Sequence, residues 1–595
     1  MVDRAAQQAY QGEPSSDCAT AVPAYAALLS RRQLLIAGTG AAAAVAMPRL
    51  GGRAIASQED RPMAPTPGEA ADATPRGERQ DQAFPQPLVL HSKDGVLEAT
   101  LRVAQTQVPL WQATGPRLVL TRAYNDSVPG PTLRVRARDQ LRLLLINDLP
   151  PDQPFCDGAW DEVNRPHGFH VTNLHTHGLH VSPESRYSNG TSEPEHPGAS
   201  PVLASDDVSL AIGPGARQEY CLWLPAFHAP GTYWYHPHKH GSVALQVANG
   251  LVGALIVEEE PGHEIVRDAR DVVWVIHELE GENATAIYTH NPPLPKFYVN
   301  GASQPTLTMR PGEVQRWRFI NATGTPTGYG TITLLDSAGQ AQPLHLVAVD
   351  GITFYGKAPQ RKLTWVIPPG GRADFLVQLS QPGRYRVIKD TVRDAPATFR
   401  QELAFVEVAG AAMTAGLPAR LPGVRPSYLE PILQATEQPA KVRFHIGRRQ
   451  PGVRGPCDVN PNDFEINEKK YQPGFIDHTV SLNAVEQWEL TNSSSMLHPF
   501  HIHLNPFQVV DGPHHLIDPE APDTSDNWIW RDTVGIPVGT PERPGRVRIR
   551  TRFLTYHGRY VLHCHFLDHE DLGMMQNVLV YGAGAPPCTP VERSH

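Results

Sequence analysis

Two short strings recur three times along the chain, and nothing else in the sequence limits the fold as tightly. Asp139-Gln140-Leu141-Arg142-Leu143, ending at Asn147, returns as Glu313-Val314-Gln315-Arg316-Trp317, ending at Asn321, and as Ala484-Val485-Glu486-Gln487-Trp488, ending at Asn492. Gly231-Thr232-Tyr233-Trp234-Tyr235-His236 returns as Gly383-Arg384-Tyr385-Arg386-Val387-Ile388 and as Gly558-Arg559-Tyr560-Val561-Leu562-His563. Such widely spaced repeats mean one supersecondary unit used three times. Its strands show in the alternation of Leu97, Ala99, Leu101 and Val103 with Glu98, Thr100 and Arg102, and of Leu133, Val135 and Ala137 with Arg134, Arg136 and Arg138. Period two is the mark of half-buried β-strands. No long stretch sustains helical spacing, and 58 prolines and 49 glycines punctuate the short apolar runs, so an all-β chain of Greek-key β-sandwich domains is expected.

At 595 residues the chain is too long for one core, and three domains are expected over 86–260, 261–415 and 435–584. A linker over 416–434 joins the last two, and a tail over 585–595 closes the chain. The second string also differs between its copies. The first and last put His236 and His563 five residues after the glycine, where the middle copy has Ile388. A metal site built from the first and third domains, with the second as a spacer, is the economical inference. The formal net charge of -9 is spread along the chain without a basic stripe, which argues against nucleic acid as a partner.

Near the start, Ser30-Arg31-Arg32-Gln33-Leu34-Leu35 precedes a mildly apolar run, Ile36 to Ala46, that is too short for a membrane span. Ala54-Ile55-Ala56 then offers a small-residue cleavage site. This order resembles a twin-arginine export signal over residues 1–56. It implies contact with the export machinery, a periplasmic or extracellular protein, no integral membrane anchor after signal removal, and a flexible Pro-rich tail over 57–85. A monomer is expected.

The 27 histidines matter through their clustering. Four segments stand out: His175-Thr176-His177-Gly178, His236-Pro237-His238, His498-Pro499-Phe500-His501-Ile502-His503, and His563-Cys564-His565 followed by His569 and Met574. Residues i and i+2 of a strand share a face, so each His-x-His can turn two imidazoles to one site. A lone thiolate with two imidazoles and a distant thioether is the donor set of a blue-copper electron-transfer centre. His563 and His565 flank Cys564 and point away from it, so one strand joins two metal sites.

With all four segments present in order across nearly the whole mature chain, the sequence resembles the multicopper oxidase family, of the laccase-like bacterial three-domain kind. The resemblance implies three cupredoxin-like domains and four coppers per chain, with dioxygen as co-substrate. By the same match His498, Cys564 and His569 hold the blue copper, with Met574 in the weak axial position and a correspondingly modest potential. His175 and His501 would hold the lone copper of a three-copper site, His177, His236 and His565 one of the paired coppers, and His238, His503 and His563 the other. His167, His170, His180 and His240 fall outside the matched positions and read as surface or hydrogen-bonding residues, and Met575 as packing.

Glu570, next to His569, matches an acidic residue that relatives use to deliver protons, so it joins Cys564, His563 and His565 as an expected catalytic residue. A second acidic residue is not evident after the first segment, where Ser182-Pro183-Glu184-Ser185-Arg186 stands, and Glu184, Asp206 and Asp207 all remain open. The expected donor is a small reducing molecule, a phenol or aromatic amine. Cuprous ion is the alternative, disfavoured because the chain has eight Met and no cluster beyond Met574-Met575. A non-enzymatic copper carrier or scaffold is the reading from another class. Asp532, in Trp530-Arg531-Asp532-Thr533-Val534, is a candidate for binding the donor's proton, with a structural salt bridge as the alternative. If Cys18 leaves with the signal and Cys564 binds metal, four cysteines remain. Cys156 with Cys221 and Cys457 with Cys588 is the preferred pairing, because each pair lies within one expected domain.

Overall fold

The computed structural model describes residues 82–582, apart from 113–114, 152–162, 188–199, 268, 280–286, 290–295, 396–398, 449–459, 461 and 521–528. The export segment over 1–56 and the tail over 585–595 lie outside the described residues, as do Cys156, Cys457 and Cys588 and so both disulfide pairings. No helix among the described residues is long and apolar enough to cross a membrane.

The described chain is almost entirely β, in six sheets that form three pairs. Each copy of the first repeated string is an inner strand of one sheet of a pair: Gln140–Asn147, Val314–Ala322 and Val485–Asn492. Each copy of the second lies inside the other sheet: Gly231–His236, Gly383–Thr391 and Gly558–Cys564. Gln140–Asn147 alternates strictly between buried and half-buried positions, as period-two patterning demands. Val314–Ala322 is buried throughout because its outer face is covered by neighbouring structure.

The asparagine that ends the first string has the same task in every copy. Asn147 Nδ2 donates to the carbonyls of His170 and Ile212, Asn321 Nδ2 to those of Gly328 and Ile367, and Asn492 Nδ2 to those of Met496 and Pro537. A buried amide with two carbonyl partners ties a strand end to the loops beside it, and leaving such carbonyls unpaired costs about 1–3 kcal/mol.

Register fixes what faces what in the second set of sheets. His236 pairs with His175, and His563 with His501. In the middle copy Ile388 pairs with Thr333, so that position carries no imidazole. Buried tryptophans fill the sandwiches, Trp274, Trp317 and Trp365 in the middle one and Trp488 in the last. The tail expected to be flexible up to residue 85 is ordered before that point: Ala83 bridges Thr306, and Phe84 packs on Trp274 with ring centroids 4.4 Å apart. Phe84 is apolar and finds an aromatic wall, which is enough to fix it.

The first and middle sandwiches meet across a buried charge network. Arg316 Nη2 lies 2.7 Å from Asp374, Arg318 Nε 2.6 Å from Asp271, and Arg134 Nη2 2.6 Å from Asp271. Thr232 of the first sandwich donates to Asp374 at 2.7 Å. Both Arg316 and Arg318 are buried, so their charges are tolerated only while paired. Asp374→Leu is expected to destabilise the chain by roughly 3–5 kcal/mol, visible as an earlier midpoint in urea; an unchanged midpoint would mean that Glu259 and Asp271 satisfy both guanidinium groups alone.

Candidate metal centres

Strand His498–Ile502 lies between Gly558–Cys564 and Thr533–Ile536, with Phe500 opposite Cys564 and His501 opposite His563. Alternation then sends Cys564 to one side of the sheet and His563 and His501 to the other. On the first side His498 Nδ1 lies 3.4 Å from Cys564 Sγ, His569 Nδ1 3.7 Å from the same sulfur, and the two Nδ1 atoms 3.3 Å apart. Ser494 Oγ holds the far nitrogen of His498 at 2.9 Å. Phe464 stacks on His569 and Phe444 on His498. Met574 is fully buried in the same core. Its carbonyl accepts from Cys564 N–H and its N–H donates to the His569 carbonyl, at 3.0 and 2.9 Å. Burial pushes the Cys564 thiol well up and holds His498 down at about 3.

On the other side eight imidazoles from both outer sandwiches meet in a buried cluster. Candidate ligand atoms of His177, His236 and His565 lie within 4.8 Å of one another, as do those of His238, His503 and His563, and those of His175, His177 and His501. His175 stacks on His503 at a 4.0 Å centroid separation, and His177 on His501 at 3.9 Å. The outward nitrogens are held by protein. His175 Nδ1 meets Asp206 at 3.0 Å, His236 Nδ1 the Pro237 carbonyl at 2.8 Å, and His501 Nδ1 the Asp532 carbonyl at 2.9 Å. Several other nitrogens have no partner at all: Nε2 of His175, His236 and His501, Nδ1 of His177, and both nitrogens of His503 and His565. His238 and His563 turn their Nε2 atoms toward each other at 3.2 Å.

Orphaned buried nitrogens each cost about 1–3 kcal/mol, and so many converging on one space is what a site for soft-to-borderline cations requires. Burial first, and then the neighbouring imidazoles, hold His175, His238, His503 and His565 well below the usual histidine range. The rings are therefore neutral, with lone pairs free to bind a metal. The donor set fits copper, the metal the sequence resemblance implies.

Three carboxylates surround the cluster. Glu570 is completely buried, its oxygens 3.4 Å from His238 Nδ1 and 2.9 Å from His563 Nδ1. Of the three carboxylates left open by the sequence, Asp206 is the one at the cluster. It bridges His175 Nδ1 and the Thr176 N–H, and burial raises it to about 7. Glu184 faces His557 on an exposed edge, and Asp207 accepts from Ser185 and Ser209. Asp206 lies 31 residues after His175, and no local motif marks it. The third carboxylate is held by a buried guanidinium. Asp532 is 5% exposed, with Arg372 Nη1 at 2.8 Å and Nη2 on its other oxygen, and Oδ1 is 3.4 Å from His177 Nε2. Both oxygens are engaged beside the imidazole cluster, the arrangement that the salt-bridge alternative describes.

The middle sandwich is more than a spacer, for Arg372 comes from it, and so does Gly370. Gly370 has a φ of +83°, and a Cβ there would lie 2.7 Å from the His565 ring and 3.0 Å from that of His177. Only glycine fits. Asp571 accepts from the N–H groups of Gly241, Val243 and Ala244 and from Tyr288 Oη, which locks the turn carrying Glu570 to the loop after His238. The other histidines hydrogen-bond to protein: His167 to the Arg165 carbonyl, His170 to that of Pro150, His180 to that of Leu504 and His240 to Asn164. Met575 packs with Tyr471 and Val561.

Three family models, each described as "Multicopper oxidase", match residues 206–262, 274–407 and 439–583, together more than half of the chain. The chain is 24% identical over 471 residues to a protein of Staphylococcus aureus named multicopper oxidase mco, spanning 77% of this chain and 84% of that one. It is 25% identical over 492 residues to a Bacillus subtilis laccase (76% and 88%), and 23% identical over 554 residues to the cell division protein FtsP of Proteus mirabilis (88% and 96%). Among solved structures, McoA multicopper oxidase from Aquifex aeolicus superposes with a TM-score of 0.63 at 20% identity, covering 84% of this chain and 99% of that one. A multicopper oxidase from Campylobacter jejuni gives 0.61 at 21%, covering 85% and 98%.

The depressed imidazoles make a prediction for the metal-free chain. A histidine kept neutral in the fold but free to protonate when unfolded contributes stability above about 6.5 that is lost as pH falls below it. Buried carboxylates raised in the fold, such as Asp206, oppose this, but the lowered histidines outnumber them. Metal-free protein is therefore expected to melt at lower temperature at pH 5 than at pH 7.5. Calorimetry showing greater stability at pH 5 would refute this.

Proposed function

Because the chain belongs to the multicopper oxidase family, and so is a copper-dependent oxidoreductase with dioxygen as its acceptor, we propose that its donors are phenols or aromatic amines. The observation that carries the reading is the pairing of two donor sets on one strand, a thiol with two imidazoles on one side and a nest of unpaired imidazole nitrogens on the other. His498, Cys564, His569 and Met574 would hold the blue copper. His175 and His501 would hold the lone copper of the second centre, His177, His236 and His565 one paired copper, and His238, His503 and His563 the other. Copper bound in these positions supplies one-electron acceptance at the thiolate centre and four-electron reduction of dioxygen to water at the other.

The protein's own part is to orient, exclude water and manage protons. The Asp206 carboxylate on His175 Nδ1, and the Asp532 carbonyl on His501 Nδ1, leave each Nε2 facing the cluster. Cys564 lies between His563 and His565 in sequence, so the shortest covalent link between the centres is a few bonds of one backbone. Water formation consumes four protons per dioxygen. Glu570, between His238 and His563, and Asp206, beside His175, are the carboxylates able to hand them in from two sides of the cluster. Phe444 and Phe464 stack on buried His498 and His569, so a donor would pass its electron without touching the metal, as outer-sphere oxidation of a ring requires. The order of the arginine pair, apolar run and cleavage site before Ser57 supports export, so the reaction would run outside the cytoplasm.

Reconstituted protein should bind four coppers per chain, turn blue, and consume oxygen with a phenol. Comparable uptake with cuprous ion alone would replace the donor assignment, and metal binding without uptake would leave a carrier. Cys564→Ser should remove the blue absorption altogether. Glu570→Gln should keep it and slow oxygen uptake by about 10²-fold or more; unchanged turnover would take Glu570 out of the proton route.

A further inference from the structure

A second place on the molecule has the attributes of a ligand site, and none of the residues assigned to copper lines it. A cavity of about 460 Å³ opens where the segment joining the middle and last sandwiches crosses between them, within the size range of small-molecule sites. Its walls are Phe354 and Tyr355 from the middle sandwich, Leu429 and Leu433 from the joining segment, and Ile529 and Trp530 from the last. The walls are preformed. Trp530 Nε1 donates to the Leu429 carbonyl at 2.7 Å, Arg550 to that of Ile432 at 2.9 Å, and Arg552 to that of Tyr428 at 3.0 Å.

Two observations say what would fill it. First, Leu433 on its wall is 74% exposed, which marks an apolar surface left uncovered. Second, the charged side chains that line it are both cationic. Lys357 and Arg425 both line the cavity. Lys357 is exposed and makes no ion pair among the described residues. Arg425 has only Glu430, at 3.7 Å, whose side chain is 58% exposed. Aromatic walls and an under-neutralised pair of cations in one cavity fit a planar apolar body with an anionic end.

We propose that this cavity binds an aromatic carboxylate of one or two rings, its ring against Trp530, Phe354 and Tyr355 and its carboxylate between Lys357 and Arg425. Its lining includes none of the residues proposed to hold copper, and a probe without an oxidisable group reports binding without turnover. The probe is 2-naphthoate, which has no phenol or amine to oxidise, titrated calorimetrically into the full chain with and without copper. Saturable binding at one per chain is expected in both forms, with 2-naphthalenemethanol about tenfold weaker or worse for want of its charge. Lys357→Glu, at an exposed position, and Arg425→Glu, at a half-buried one, each with folding verified by circular dichroism, should each weaken naphthoate about tenfold. Absence of saturation at about 10 mM, equal affinity for the alcohol, or affinity unchanged in both variants would overturn the proposal. None of these outcomes bears on the copper assignments, which rest on other residues.

Discussion

Everything distinctive about this chain depends on imidazole nitrogens buried without partners. A dry interior penalises every unsatisfied polar atom, yet here such atoms are concentrated in one place, contributed by strands from sandwiches at opposite ends of the sequence. The surrounding structure makes sense only as a frame for them. In His175, His236 and His501 the outward nitrogen is pinned by a carbonyl or carboxylate, so the inward one has no freedom to turn away. Neutral rings, held down by burial and mutual repulsion, keep their lone pairs available.

The middle sandwich shows how a repeated unit can lose one role and gain another. Ile388 stands where its neighbours carry His236 and His563, so the unit supplies no imidazole. It instead reaches into the cluster with Arg372, whose fork holds Asp532, and with Gly370, whose missing side chain makes room for His565 and His177. A buried guanidinium with a bidentate carboxylate is rigid. Its position between His177, His501 and the middle sheet ties the relative placement of the outer sandwiches to the third.

Carboxylates divide the labour around the same cluster. Asp532 is committed to Arg372, Asp571 to four donors that seat the turn bearing His569 and Glu570, and Asp206 and Glu570 lie against rings on different sides. The first two hold geometry, and the last two have proton chemistry open to them. Chemically identical groups thus differ in role through the donors each one meets.

What sequence could determine here is whatever local periodicity encodes. The two repeated strings became inner strands of paired sheets, because period-two alternation and glycine-led turns act over a few residues. His-x-His and His-Cys-His spacing placed imidazoles on one face and the thiol on the other for the same reason. Glu570 was legible because it adjoins His569. Asp206, Arg372, Gly370 and the true surroundings of Asp532 were not, since each acts across a gap that only the closing of separate sandwiches sets. Local spacing specifies which face a side chain takes; which distant side chain it meets there is decided by packing between sheets, and packing leaves no period in the chain.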